Sequence, residues 1–134
     1  MDHTSMLLKS NMSMKAATTL VSSKNQGCWN SSIHCSYYSL LQMMMYMLVD
    51  VKRPPCSMEN IVNKGDTHMR IKEAVVLEIC SPKERVSFIT GFDMLKRMRV
   101  KADYTTEQFS QEMCLELKEK SESLRNKVVS YFKK

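Results

Sequence analysis

The stretch Ile33-His34-Cys35-Ser36-Tyr37-Tyr38-Ser39-Leu40-Leu41-Gln42-Met43-Met44-Met45-Tyr46-Met47-Leu48 decides the fold. Ile33, Tyr37, Leu40, Leu41, Met44 and Leu48 recur at the i, i+3, i+4, i+7 spacing of a helix with one apolar stripe. Tyr38, Met43, Met45 and Met47 add apolar surface off that stripe. A helix that is greasy on nearly every side is central in a bundle or faces a partner subunit. The spacing predicts a helix over 28–50. Lys52-Arg53-Pro54-Pro55 stops it, because proline cannot continue a helix and restricts the residue before it.

Working outward, residues 4–23 carry Met6, Leu7, Met14, Ala17, Leu20 and Val21 at helical spacing, with Thr4 or Ser5 as a cap. Asn25-Gln26-Gly27 reads as the following break, with Gly27 in a left-handed C-cap. Residues 52–66 are the least regular, and Asn63-Lys64-Gly65-Asp66 has turn chemistry. Residues 67–80 form a shorter helix on Ile71, Ala74, Val75 and Ile79, whose β-branched residues leave a strand as the alternative. Ser81-Pro82-Lys83-Glu84 combines an N-cap, a proline at the first helical position and a capping-box glutamate. That helix should run to about Lys101 with Val86, Ile89, Phe92 and Leu95 inward. Gly91 within it is read as room for close packing. Thr105-Thr106-Glu107-Gln108 reads as a second capping box. The last helix then runs to about Phe132 on Phe109, Met113, Leu117, Leu124, Val128 and Phe132. Its cations, including Lys118, Lys120, Arg125, Lys127, Lys133 and Lys134, suit the C-terminal end of the helix dipole.

These segments predict an all-α fold: an antiparallel bundle of four to five helices, with 1–134 as one domain. The length of 134 residues suits one domain. With only 3 Gly and 3 Pro, the chain favours long helices over many short strands. Its 13 Met are good helix formers and adaptable core fillers. The run from Tyr37 to Val51 is too short and too polar to span a bilayer, and no signal-peptide pattern follows Met1. Five scattered Cys without a CxxC pair suggest free thiols in a reducing cytoplasm, and no His/Cys spacing fits zinc. No metal or cofactor is expected.

The formal charge of +6 suits a polyanionic partner or a solvated surface. Lys96, Arg97, Arg99 and Lys101 cluster and could bind nucleic-acid phosphates; equally they could be a wet face. Arg97 has Asp93 four residues before it, the better orientation for an ion pair. Tyr37, on the stripe, reads as packing. Tyr38 lies off the stripe with His34 one turn before it, a pair that could line a cleft and stack on bases. Trp29 could do the same. His68 reads as a helix-start residue.

Two segments together resemble the HEPN family (higher eukaryote and prokaryote nucleotide-binding). Ser36-Tyr37-Tyr38-Ser39-Leu40-Leu41-Gln42-Met43 is similar to its small residue, tyrosine pair and apolar run. Arg97-Met98-Arg99-Val100-Lys101-Ala102-Asp103-Tyr104, followed by a capped, charged final helix, resembles the Arg-x-x-Ala-Asp-Tyr ending of one branch of short HEPN proteins, and Thr67-His68 matches a pair that opens their third helix. The order holds over roughly residues 5–132. The resemblance implies a homodimeric bundle, RNA cleavage through an Arg-x(4–6)-His motif, and a nucleotidyltransferase-type partner in a toxin–antitoxin pair. It places Arg99, Asp103 and Tyr104 at the catalytic positions. Lys96, Arg97, Lys101, His34 and Tyr38 are the candidate nucleic-acid contacts.

No His follows Arg97 or Arg99 at the motif spacing; Asp103 and Tyr104 stand there instead. Without metal, cleavage needs an acid or base, and His is matched to that task at neutral pH. The pattern therefore favours an RNA- or nucleotide-linked interaction module over a metal-independent ribonuclease toxin. A purely structural helical adaptor is the third reading.

Overall fold

A computed structural model describes residues 4–62 and 66–132. Residues 1–3, 63–65 and 133–134 and the side chains of Thr4, Ser5, Asn60 and Val62 lie outside that description, and with them the expected cap at Thr4 or Ser5 and most of the expected turn at 63–66. Among the described residues six α-helices follow one another: α1 (Thr4–Val21), α2 (Gln26–Tyr46), α3 (Met58–Val62), α4 (Thr67–Val76), α5 (Pro82–Tyr104) and α6 (Gln111–Phe132). The last turn of α2 widens into a π-helical turn over Met47–Val51. No strand occurs among the described residues, so the strand alternative for 67–80 falls away. Ile71 and Val75 make the buried face of α4 instead.

α2 is the hub, packed against α1, α4, α5 and α6. Ile33, Tyr37, Leu40, Leu41, Met44 and Leu48 are all buried, as the periodicity requires. The pairing of side chains fixes the directions. His34 meets Asp103, while Tyr37, further along α2, meets the earlier Arg99 and Phe92, so α2 and α5 are antiparallel. Ser10 meets Arg125 while Val21 meets Gln111, so α1 and α6 are antiparallel too. Gln26 meets Phe109, at the start of α6, and Ser36 meets Ser121, so α2 and α6 run side by side in the same direction. The long helices α1, α2, α5 and α6 thus alternate in direction along the chain, and α2 and α6 are parallel as alternate members of that series.

Local chemistry moves several boundaries. Asn25 caps α2, its side chain accepting from the Gly27 N–H at 2.8 Å, so Gly27 sits in the first turn rather than ending α1. Ser81 caps α5 as expected, accepting from the Glu84 N–H at 3.3 Å. α5 outruns Lys101 by a turn. The Thr105 hydroxyl donates to the Lys101 carbonyl at 2.6 Å and closes the C-terminus of α5, so the 105–108 capping box does not form. α6 starts later, where the Ser110 hydroxyl accepts from the Met113 N–H at 3.1 Å.

The inward phase of α5 also differs. Phe88, Gly91, Phe92, Leu95 and Arg99 face in, whereas Val86 is 65% exposed. The bulky Phe88 and Phe92 rings take the space against α2 and α6. On α6, Cys114 replaces Met113 in the seam. A Cβ on Gly91 would lie 3.0 Å from both Leu124 Cδ1 and Lys120 Cε, so the glycine does let α5 and α6 approach closely.

The phase of α5 is open to a direct check. Phe92→Ala should cost about 3–5 kcal/mol in denaturant unfolding. Val86→Ala should cost no more than about 0.5 kcal/mol. Equal losses at the two positions would contradict the register described here.

Candidate functional site

α5 continues helically to Tyr104, which puts Arg99 and Asp103 on one face a turn apart. α2 offers His34, Tyr37 and Tyr38 at i, i+3 and i+4 on the side facing them. The first turn of α4 adds His68. These side chains meet in one cluster, so the double-tyrosine segment and the Ala102-Asp103-Tyr104 segment are neighbours in space.

Arg99 is at its centre, 9% exposed. Its guanidinium carbon lies 5.3 Å from the Tyr37 ring centre, 5.5 Å from that of Tyr38 and 6.0 Å from that of Tyr104. Three ring faces thus supply part of the electrostatic stabilisation that water would give. One carboxylate helps: Arg99 Nη1 is 3.6 Å from Asp103 Oδ2. The Arg99 Nε is buried and has no hydrogen-bond partner, a deficit that typically costs about 1–3 kcal/mol.

Asp103 is shared. The same Oδ2 lies 2.7 Å from His34 Nδ1, and the His34 side chain is 48% exposed. The His34 ring packs on Tyr38 at 4.6 Å between centres. Asp103 and the neighbouring apolar packing also act on Cys35, whose thiol is pushed up by burial first and by the Asp103 charge second. It therefore stays protonated.

A second layer lies beneath. The buried Tyr37 hydroxyl is 2.8 Å from His68 Nδ1. Burial pushes the Tyr37 phenol well above its ordinary range. Burial, and then the charges of Lys96 and Arg99, hold the His68 imidazole below its usual value. Both shifts favour a neutral phenol beside a neutral imidazole, joined by this one hydrogen bond. His68 is thus more than a helix-start residue: it fixes Tyr37 under Arg99. The Thr67-His68 pair was the sequence signal for it, although periodicity alone gave it no role.

The remaining candidates divide. Lys96 belongs to the cluster through its action on His68. Arg97 and Lys101 lie round the helix from Arg99, and with Lys96, Asp93 and Val100 they line a shallow groove of about 480 Å³. The Asp93–Arg97 pair is corrected: Asp93 turns to Lys72 Nζ of α4 at 3.2 Å. Trp29 donates its indole N–H to the Ser23 carbonyl at 2.6 Å and serves the α1–α2 turn.

Among the described residues, no group of three His, Cys, Asp or Glu could hold a metal ion, and all five cysteines are free thiols. No described helix is long and apolar enough to cross a membrane. Comparison of the chain with protein families, with curated proteins and with solved structures finds no match.

The lowered His68 value has a stability consequence. Well above pH 6.5 the imidazole is neutral in folded and unfolded chains alike and contributes no pH dependence. Below it the unfolded chain takes up the proton first, so folding is penalised as pH falls. Urea midpoints should therefore drop between about pH 7.5 and 5, and His68→Gln should flatten that drop. An unchanged slope in the variant would refute the assignment.

Proposed function

We propose that this chain is a HEPN-type helical module of the cytoplasm that binds single-stranded RNA through its phosphates. The observation that carries this reading is Arg99: a buried guanidinium held by tyrosine rings, with a single shared carboxylate and an unpartnered Nε. A charge so incompletely compensated favours an anion beside it. The surroundings support the same choice. Lys72, Lys96 and Arg99 outnumber the two nearby carboxylates, Asp93 and Asp103. Tyr104, 75% exposed, offers a ring face on which an unpaired base stacks. Lys96, Arg97 and Lys101 give the strand a basic track along the adjoining groove.

The family resemblance adds two parts to the proposal. The module works as a homodimer, and it acts beside a nucleotidyltransferase-type protein as one half of a toxin–antitoxin pair. The all-helical bundle supports this reading without being specific to it.

A labelled single-stranded RNA oligonucleotide tests the binding. Its affinity should fall about tenfold or more between about 50 and 200 mM salt, the signature of several phosphate contacts. Lys96→Glu combined with Lys101→Glu should weaken it by at least about tenfold, since both half-buried residues line the groove beside Arg99. No binding at low salt would end the proposal. The dimer is tested separately: light scattering at micromolar concentration should give twice the 15.6 kDa chain mass, and a monomer would rule it out.

A further inference from the structure

From the groove between α5 and α6 we infer a second site on this protein, one that takes a small linear molecule with an apolar chain and a carboxylate head. The groove lies on the other flank of α5 from Lys96, Arg97 and Val100, so it shares no residue with the Arg99 cluster or with the basic groove beside that cluster. Its volume is about 570 Å³, within the range of roughly 300–1,000 Å³ that small-molecule sites occupy. The space between helices of a bundle is a usual place for such a site.

One end of the groove is apolar. Met94 of α5 and Met113 of α6 supply its walls, and Leu117 its floor. Met113 is 39% exposed, apolar surface that a ligand chain would cover. Thioether side chains mould themselves to a chain of varied shape. The other end is polar and positive. α5 runs against α2, and α6 runs with α2, so α5 and α6 are antiparallel. Ser87 and Thr90 therefore come level with Lys120 and the residues beyond it, away from Met113.

Gly91 sets the position of the charge. A Cβ there would lie 3.0 Å from Lys120 Cε, so the carbon that carries the ammonium rests over the glycine, at the groove itself. Lys120 is half-buried yet has no carboxylate partner among the described residues. Lys118 and Glu122 close an i, i+4 pair at 2.8 Å, whereas Glu116 and Lys120, at the same spacing, do not meet. A half-buried ammonium without a counter-ion favours an anion beside it. Glu116, exposed on the rim one turn nearer Met113, is the one carboxylate among the lining residues, and it turns the head of a ligand toward the far end. Helix spacing continues that far end with Lys83 and Lys127, while the carboxylate of Glu84 there is engaged by the Tyr131 hydroxyl at 3.1 Å. Length agrees with charge: from Ser87 to Met94 α5 rises about 10 Å, the span of an extended chain of roughly eight carbons. The carboxylate meets Lys120 and the hydroxyls of Ser87 and Thr90, and the chain lies on Leu117 between the two methionines.

Octanoate and the uncharged octanol are the probes, titrated into the full chain with isotope-labelled methionine methyl groups. Octanoate should shift the Met94 and Met113 signals saturably and leave the methionines of α1 and α2 unmoved. Lys120→Met keeps the stem over Gly91 and removes the charge. It should weaken octanoate by at least about fivefold, and it should hold octanol, which relies on apolar burial alone, within about twofold of wild type. Thr90→Trp, at an exposed position on the rim, should block both probes. The absence of a saturable shift at Met94 and Met113 would overturn the inference. So would octanoate binding to Lys120→Met as tightly as to wild type, or to Thr90→Trp unhindered. None of these outcomes touches the RNA reading, whose residues lie elsewhere on α5.

Discussion

α2 is covered over most of its surface by α1, α4, α5 and α6, and its buried polar atoms have nowhere to turn except toward those neighbours. It meets this constraint with serines. Ser32, Ser36 and Ser39 are fully buried. Ser10 of α1 and Ser39 exchange hydroxyl-to-carbonyl bonds at 2.6 and 2.8 Å. Ser121 of α6 donates to the Ser36 carbonyl at 2.6 Å, and Ser32 donates to Trp29 at 2.6 Å. Small side chains let α1 and α6 come close; the hydroxyls of Ser10, Ser39 and Ser121 bond to main-chain oxygens on the neighbouring helix, Ser32 bonds within α2, and the Ser36 hydroxyl is left without a partner. Arg125 closes the third side, donating to Ser10 at 3.2 Å and to Asn11 at 2.6 Å. With α1 and α6 seated there, the tyrosine face of α2 is left for α4 and α5.

That remaining face fixes the site. Tyr37 is wholly buried yet keeps a polar end, so it needs a partner, and His68 is the partner. The ring of Tyr37 packs 5.6 Å from Phe92, which sets the rotation of α5 and hence brings Arg99 round to face α2. Phe92 and Arg99 are seven residues apart, so one rotation serves both. The site is therefore a consequence of the core and not an attachment to it: the residues that fill the middle of the bundle also aim its charged end.

This coupling explains what the sequence disclosed and what it did not. The stripe from Ile33 to Leu48 was legible because apolar spacing reports directly on a buried helix face. The buried serines were not, since a polar residue in a helix reads as solvated unless its partner across the interface is known. Val86 and Phe92 looked equivalent by spacing; ring volume against α2 separates them. The Arg99–Asp103 turn was legible because i, i+4 neighbours follow from helix geometry. The His34–Asp103 contact was not, because it spans two helices whose relative rotation depends on Phe92 and Tyr37. The Thr105 boundary was misread for a related reason. Threonine can close one helix or open the next, and only the Lys101 carbonyl beneath it decides.

The choice of arginine at position 99 carries the argument one step further. A lysine ammonium is compact and strongly hydrated, and burial would strip that hydration with little in return. A guanidinium is flat and more weakly hydrated, and its faces can rest on rings while its edges keep their donors. Tyr37, Tyr38 and Tyr104 occupy the faces. The edges are then poorly served, with Asp103 at 3.6 Å and Nε without a partner. Had the ion pair been purely structural, a second carboxylate or a closer Asp103 would have satisfied it at lower cost. Instead Asp103 stands nearer to His34 than to Arg99, at 2.7 Å against 3.6 Å. The carboxylate orients the imidazole and leaves the guanidinium short of negative charge, an imbalance that a bound phosphate would correct.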